Sequence, residues 1–228
     1  MGTWLVAARV ADIFQQEMAK VSGSVTRVLD GESLFARGVL PRIAEVVKGD
    51  GVRAGVAVRA TEEDIFVHPF IFRLVCTNGA IMAQATQTVQ ISRHELWIGG
   101  ADLETRLCEA VRGCCQPEAF QMGVNQMRTA RQREVDMAIM VAQFMATHGS
   151  SLRPLLSRVL QRYDEAGERS AYGMMNAITS VARDTRNPNM KWKLEELGGS
   201  VPALMRLGQR GPTPNRAANR GRQLTTVG

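Results

Sequence analysis

This chain of 228 residues is short of several things, and each shortage closes off a class of protein. No apolar run approaches the ~20 residues that a membrane span requires, so no membrane partner is expected. The amino-terminal MGTWLVAARVADIF is apolar but lacks a basic start and a long unbroken hydrophobic stretch, so it does not read as a secretory leader. There is no GxxxxGK[ST], and no GxGxxG after a strand, which removes the common phosphate cradles of nucleotide enzymes. Histidine occurs three times, with no HxxxH or HxxEH pair to start a metal site. Cys76, Cys108, Cys114 and Cys115 match no zinc spacing. Without a leader they read as reduced thiols of a cytoplasmic protein. No cofactor, metal or small-molecule substrate is expected.

Lysine is also scarce. Of 28 basic residues, only Lys20, Lys48, Lys191 and Lys193 are lysines. Arginine's planar fork suits phosphate and guanine, although a GC-rich gene would enrich arginine too. The net charge is +6 with a pI near 9.6, which favours polyanionic partners only weakly. Position matters more. Residues 209–228 carry Arg210, Arg216, Arg220 and Arg222 and no acid, so most of the excess sits in the tail. Hydrophobic residues make up 45% of the chain, enough to build a core.

The segment Phe66 to Ile91 organises the rest. Asn78-Gly79 is a strong hairpin signal because both residues tolerate the positive φ of a type I′ turn. A two-residue turn there sets Thr77 opposite Ala80 and Arg73 opposite Gln84. Phe70, Phe72 and Ile81 then share a core face, and Ile71, Arg73 and Gln84 share a mixed outer one.

Around this hairpin, periodicity assigns the other elements. Residues 3–20 have helical spacing, and Val25 to Leu29 suits a short strand. Gly38 to Val47 reads as a short helix with Pro41 in its first turn. Val52 to Ala60 alternates, with Val52, Ala54, Val56 and Val58 inward and Arg53 and Arg59 outward. Beyond Gly99-Gly100 the period becomes helical. Asp102 caps one helix. Pro117 opens a long one running from about Glu118 to His148. Ser151 and Ser170 begin two more, and Asn187-Pro188-Asn189 breaks the last. Lys191 to Leu197 is a short helix stopped by Gly198-Gly199. The expected fold is α+β: a small antiparallel sheet within residues 25–92, then helices within 102–199. Residues 1–199 form one domain, and 200–228 form a flexible basic tail.

No catalytic group emerges, and a non-enzymatic protein is expected. His68 and Cys76 lie about 26 Å apart in a continuous strand, too far to act together. His94 remains available, but Cys76 on an apolar face fits a core cysteine well. Three basic groupings stand out. The sheet would present Arg53, Arg59 and Arg73. A helix carries Arg128, Arg131 and Arg133. Arg183, Arg186, Lys191 and Lys193 flank Trp192, which could stack on a base. Each grouping also fits an ordinary solvated face balanced by nearby acids such as Glu118, Glu134, Glu195 and Glu196.

The stretch GVAVRATEEDIFVHPFIFRLVCTNGAIM, with its R-x-x-C-x-N-G segment at Arg73, Cys76, Asn78 and Gly79, resembles the phage- and plasmid-borne family called domain of unknown function 932. MNAITSVARDT, around Asn176, Ala177 and Thr179, and KWKLEELGG, residues 191–199, are similar to that family's later helices. The amino-terminal part is shorter than the family pattern, and the polar hairpin after the motif is reduced. The resemblance implies a mobile-element setting and DNA transactions, not a mechanism. A hairpin sheet followed by helices is also similar, at the level of fold, to phage single-strand annealing proteins. The resulting expectation is a homo-oligomeric protein that binds or anneals single-stranded DNA in recombination or replication. The alternative is an oligomeric interaction or scaffold protein, for which the methionines Met122, Met127, Met137, Met140 and Met145 would provide adaptable surface.

Overall fold

The computed structural model describes residues 3–92, 102–148 and 153–207. Among these, a six-stranded antiparallel sheet and seven α-helices form an α+β fold. Helix α1 (Thr3–Lys20) comes first. It is followed by β1 (Ser24–Asp30), β2 (Ser33–Val47), β3 (Asp50–Ala60), β4 (Asp64–Arg73), β5 (Asn78–Ile81) and β6 (Val89–Ser92). The helices then run as α2 (Leu103–Cys114), α3 (Pro117–Arg131), α4 (Met137–His148), α5 (Arg153–Ala166), α6 (Ala171–Arg183) and α7 (Pro188–Leu207). None of the described helices is long and apolar enough to cross a membrane.

The strand order is β1-β2-β3-β4, with β5 and β6 sharing the far edge of β4. Period-two alternation sorts the side chains. Val52, Val56 and Val58 of β3 and Ile65, Val67 and Ile71 of β4 enter the main core with the helices. Phe35, Ala57, Phe70 and Ile81 point to the opposite face and form a second cluster with Trp192 of α7. Both faces are therefore covered in part, and neither matches the single core face read from the hairpin.

Four elements differ from the sequence reading. The β4–β5 loop is Leu74 to Thr77, and Arg73 pairs with Asn78 and Phe72 with Gly79. Thr77 takes the positive φ, 49°. Asn78 and Gly79 are strand residues. The glycine is needed for proximity, because a Cβ there would lie 2.1 Å from Phe70 Cζ. The expected helix at 38–47 is the second half of β2. Pro41 falls where the pairing register shifts between Val39 and Ile43, a position that tolerates a missing N–H.

The expected long helix from Glu118 breaks after Arg131. Asp136 Oδ1 restarts it by accepting the N–H groups of Ala138 and Ile139. Gly198-Gly199 does not end α7, which runs on through Pro202 to Leu207. Gly199 instead lets the helix press on β5, since a Cβ would lie 1.9 Å from the Ile81 carbonyl oxygen. The predicted tail therefore begins later than residue 200, and His94, Ser151 and the four tail arginines lie outside the described residues.

Candidate functional site

The second face of the sheet carries an open groove of about 350 Å3. Arg37 of β2, Arg53 of β3, Arg183 of α6 and Lys191 of α7 line it, with Phe70 and Phe72 of β4. Four cations thus meet one carboxylate, Glu195. The register explains the convergence. Arg53 pairs with Phe72 across β3 and β4, so both side chains project to the same side. Arg37 sits opposite Ala57 on β2 and shares that side.

The groups differ in how far they are engaged. Arg37 Nε donates to Glu195 Oε2 at 2.7 Å, and its guanidinium stands 5.7 Å from the Trp192 ring centre. Burial pushes the Glu195 carboxyl up, and Arg37 opposes that push. Arg183 Nη1 donates to the Cys76 carbonyl at 2.8 Å, and its Nε to Asp184. Arg53 is the open valence. Its Nε is buried without an acceptor, and no carboxylate lies within ion-pair distance among the described residues. A buried guanidinium N–H left unpaired is costly, so an anion entering the groove gains there.

Arg59 shares this face but lies further along, half-buried over the Phe35 ring at 5.6 Å. Burial lowers its pKa, against the attraction of Glu196. His68, 3% exposed, lies beside it, and burial lowers its pKa to about 4. Its Nδ1 meets Thr88 Oγ1 at 3.2 Å, and its Nε2 is 3.6 Å from Glu196. Trp192 is fully buried, 6.2 Å from the Phe35 ring and 5.8 Å from His68. It is core rather than a stacking platform; the accessible aromatic edge is that of Phe72. Lys193 lines neither this groove nor the hollow at the end of α3.

Arg73 departs most from the sequence reading. It projects to the helical face, where it forms a bidentate pair with Asp50. Its Nη1 also donates to Cys76 Sγ at 3.2 Å. Asn78 Nδ2 donates to Thr179 Oγ1 at 2.8 Å. The residues of the R-x-x-C-x-N-G motif are therefore fasteners between the hairpin and α6. They support the groove from behind.

Arg128, Arg131 and Arg133 gather as read from sequence, joined by Arg169, around a separate hollow of about 730 Å3. Arg37 was missed because residues 38–47 read as helix, which hid the alternation of Phe35, Arg37 and Val39. No family model, curated protein or solved structure matches the chain.

Proposed function

We propose that this chain is a non-enzymatic protein that binds single-stranded nucleic acid through the second face of its sheet. The observation that carries the reading is the groove, in which Arg53 has no acceptor beside the aromatic ring of Phe72. Phosphates would sit on Arg53, Lys191 and Arg183, and a base would lie against Phe72. Stacking on an aromatic needs an exposed base face, which a single strand offers and a duplex hides. The motif resemblance to a mobile-element family agrees with this reading, and DNA is the expected strand.

The test is fluorescence anisotropy of the full chain with a labelled single strand and a matched duplex across a salt series. Binding should be salt-sensitive and tighter for the single strand. Absence of binding at low salt would overturn the reading. A second reading, an oligomeric interaction protein, rests on edge strand β1, where Val28 and Leu29 are 48% and 47% exposed. Light scattering separates the two: an assembly that forms regardless of DNA favours the second.

A further inference from the structure

A second basic site lies at the carboxyl end of α3. Arg128, Arg131, Arg133 and Arg169 line a hollow of about 730 Å3 with only two carboxylates, Glu134 and Glu168. Three separate stretches of chain hold it in shape. Arg128 Nη2 donates to the Glu45 carbonyl at 2.6 Å, tying α3 to β2. The Ala171 N–H donates to the Arg133 carbonyl at 2.8 Å, and Glu134 and Ser170 form an isolated antiparallel bridge. The turn after α3 is thereby pinned to the start of α6, so Arg133 is held by its backbone while its side chain faces the hollow.

The acids are partly spent. Glu168 accepts from Ser170 Oγ at 2.8 Å and pairs with Arg131 at 3.5 Å. Arg169 pairs with Asp164. Two guanidinium groups remain uncompensated. Arg128 donates only to the Glu45 carbonyl and to Asn125. Arg133 Nη1 is buried without an acceptor. Unlike the sheet groove, this hollow has no aromatic lining, so it offers forks for oxyanions and nothing on which a base could stack.

We propose that this hollow is a phosphate-binding site, with Arg133 and Arg128 as its principal donors and space for several linked phosphates. The phosphates could belong to a nucleic-acid backbone or to a free polyphosphate. The shared chemistry is a chain of phosphoryl oxygens, and the test separates the sources.

Isothermal titration calorimetry of the full chain with sodium tripolyphosphate is the direct measurement. Binding is expected, weakened about tenfold or more by Arg133→Gln, each charge-assisted hydrogen bond being worth about 1.5–3 kcal/mol. Arg133→Lys should recover part of the loss by restoring charge without the fork. Arg53→Gln, in the sheet groove, should leave the affinity unchanged. Arg133 makes no side-chain ion pair among the described residues, so the melting temperature of these variants should match the parent.

An oligothymidylate titrated into protein saturated with tripolyphosphate then identifies the source. Displacement assigns the hollow to a phosphodiester backbone, and simultaneous binding assigns it to free polyphosphate; either supports the site. Absence of tripolyphosphate binding, or affinity unmoved by Arg133→Gln and Arg128→Gln, overturns it. Tripolyphosphate binding by a chain that ignores oligonucleotides would sink the nucleic-acid reading and leave this one standing.

Discussion

Arg73 Nε and Nη2 meet Asp50 Oδ1 and Oδ2, both at 2.7 Å, and Tyr172 donates its hydroxyl to the same Oδ2 at 2.7 Å. Burial works against the charge of Arg73, but the two-pronged contact with Asp50 outweighs it and holds the guanidinium above its ordinary pKa. The arginine that looked most like a ligand contact is thus part of the joint between sheet and helices. The groove on the other face depends on that joint, because Arg183, one of its cations, reaches the Cys76 carbonyl at the same loop.

Removing one partner of this joint should unfold the protein before it affects binding. Arg73→Ala or Asp50→Ala leaves an uncompensated buried charge, with an expected cost of about 3–5 kcal/mol. Urea denaturation measures it. A variant that kept its stability but lost nucleic-acid binding would return Arg73 to the site.

Arg53 should behave in the opposite way. Arg53→Ala combined with Lys191→Ala should change the melting temperature little, because neither side chain holds a printed carboxylate in an ion pair within the fold. Single-strand affinity should fall, and each lost phosphate contact should flatten the salt slope by about one unit. An unchanged slope in anisotropy would remove the sheet face from the interface.

Two helical glycines test the packing of α7 on β5. Gly199→Ala places a methyl 1.9 Å from the Ile81 carbonyl and must push the helix away, with an expected loss of about 1–3 kcal/mol. Gly113→Ala, in α2, meets nothing within 4 Å and should add about 0.5–1 kcal/mol through helix propensity. Thermal melts of both variants should move in opposite directions. Equal shifts would contradict the close approach at Gly199.

The buried His68 should leave a mark on acid stability. Its pKa is about 4 when folded against 6.5 for the free side chain, so the unfolded chain takes the proton first. Its contribution is full above pH 6.5, is lost as the pH falls toward 4, and amounts to about 3 kcal/mol at most. Thr88, Glu196, Arg59, Phe66 and Trp192 surround it or adjoin its partners. Glu195 and Glu196, raised by burial, gain protons on folding and act in the opposite direction over their own range. The contrast with His68→Gln isolates the histidine: the stability gap between parent and variant should narrow between pH 7 and pH 4. Parallel curves would show that His68 does not titrate in this way.

Much of the secondary structure was legible where one face is buried and the other is not. The alternation of Val52 to Ala60, the cap at Asp102 and the spacing of α1 each report a local burial pattern, and the structure repeats them. Errors cluster where local preference and tertiary contact disagree. Asn78-Gly79 has turn chemistry, but Asn78 is held by Thr179 and Gly79 by the Phe70 ring, so both are drawn into a strand. Gly198-Gly199 has stop chemistry, but its missing side chains are what let α7 seat on β5.

The sequence by itself determined the class of fold, the strand and helix segments with clear periodicity, and the surplus of arginine, because these depend on neighbours a few residues away. It could not say which arginines stand free. Arg53 and Arg73 look alike in a strand pattern, yet one is left without an acceptor and the other is locked to Asp50. Only the tertiary structure decided that, because a charge is available or spent according to groups brought beside it from distant parts of the chain: Asp50 and Tyr172 for Arg73, Glu195 for Arg37, and none for Arg53 among the described residues.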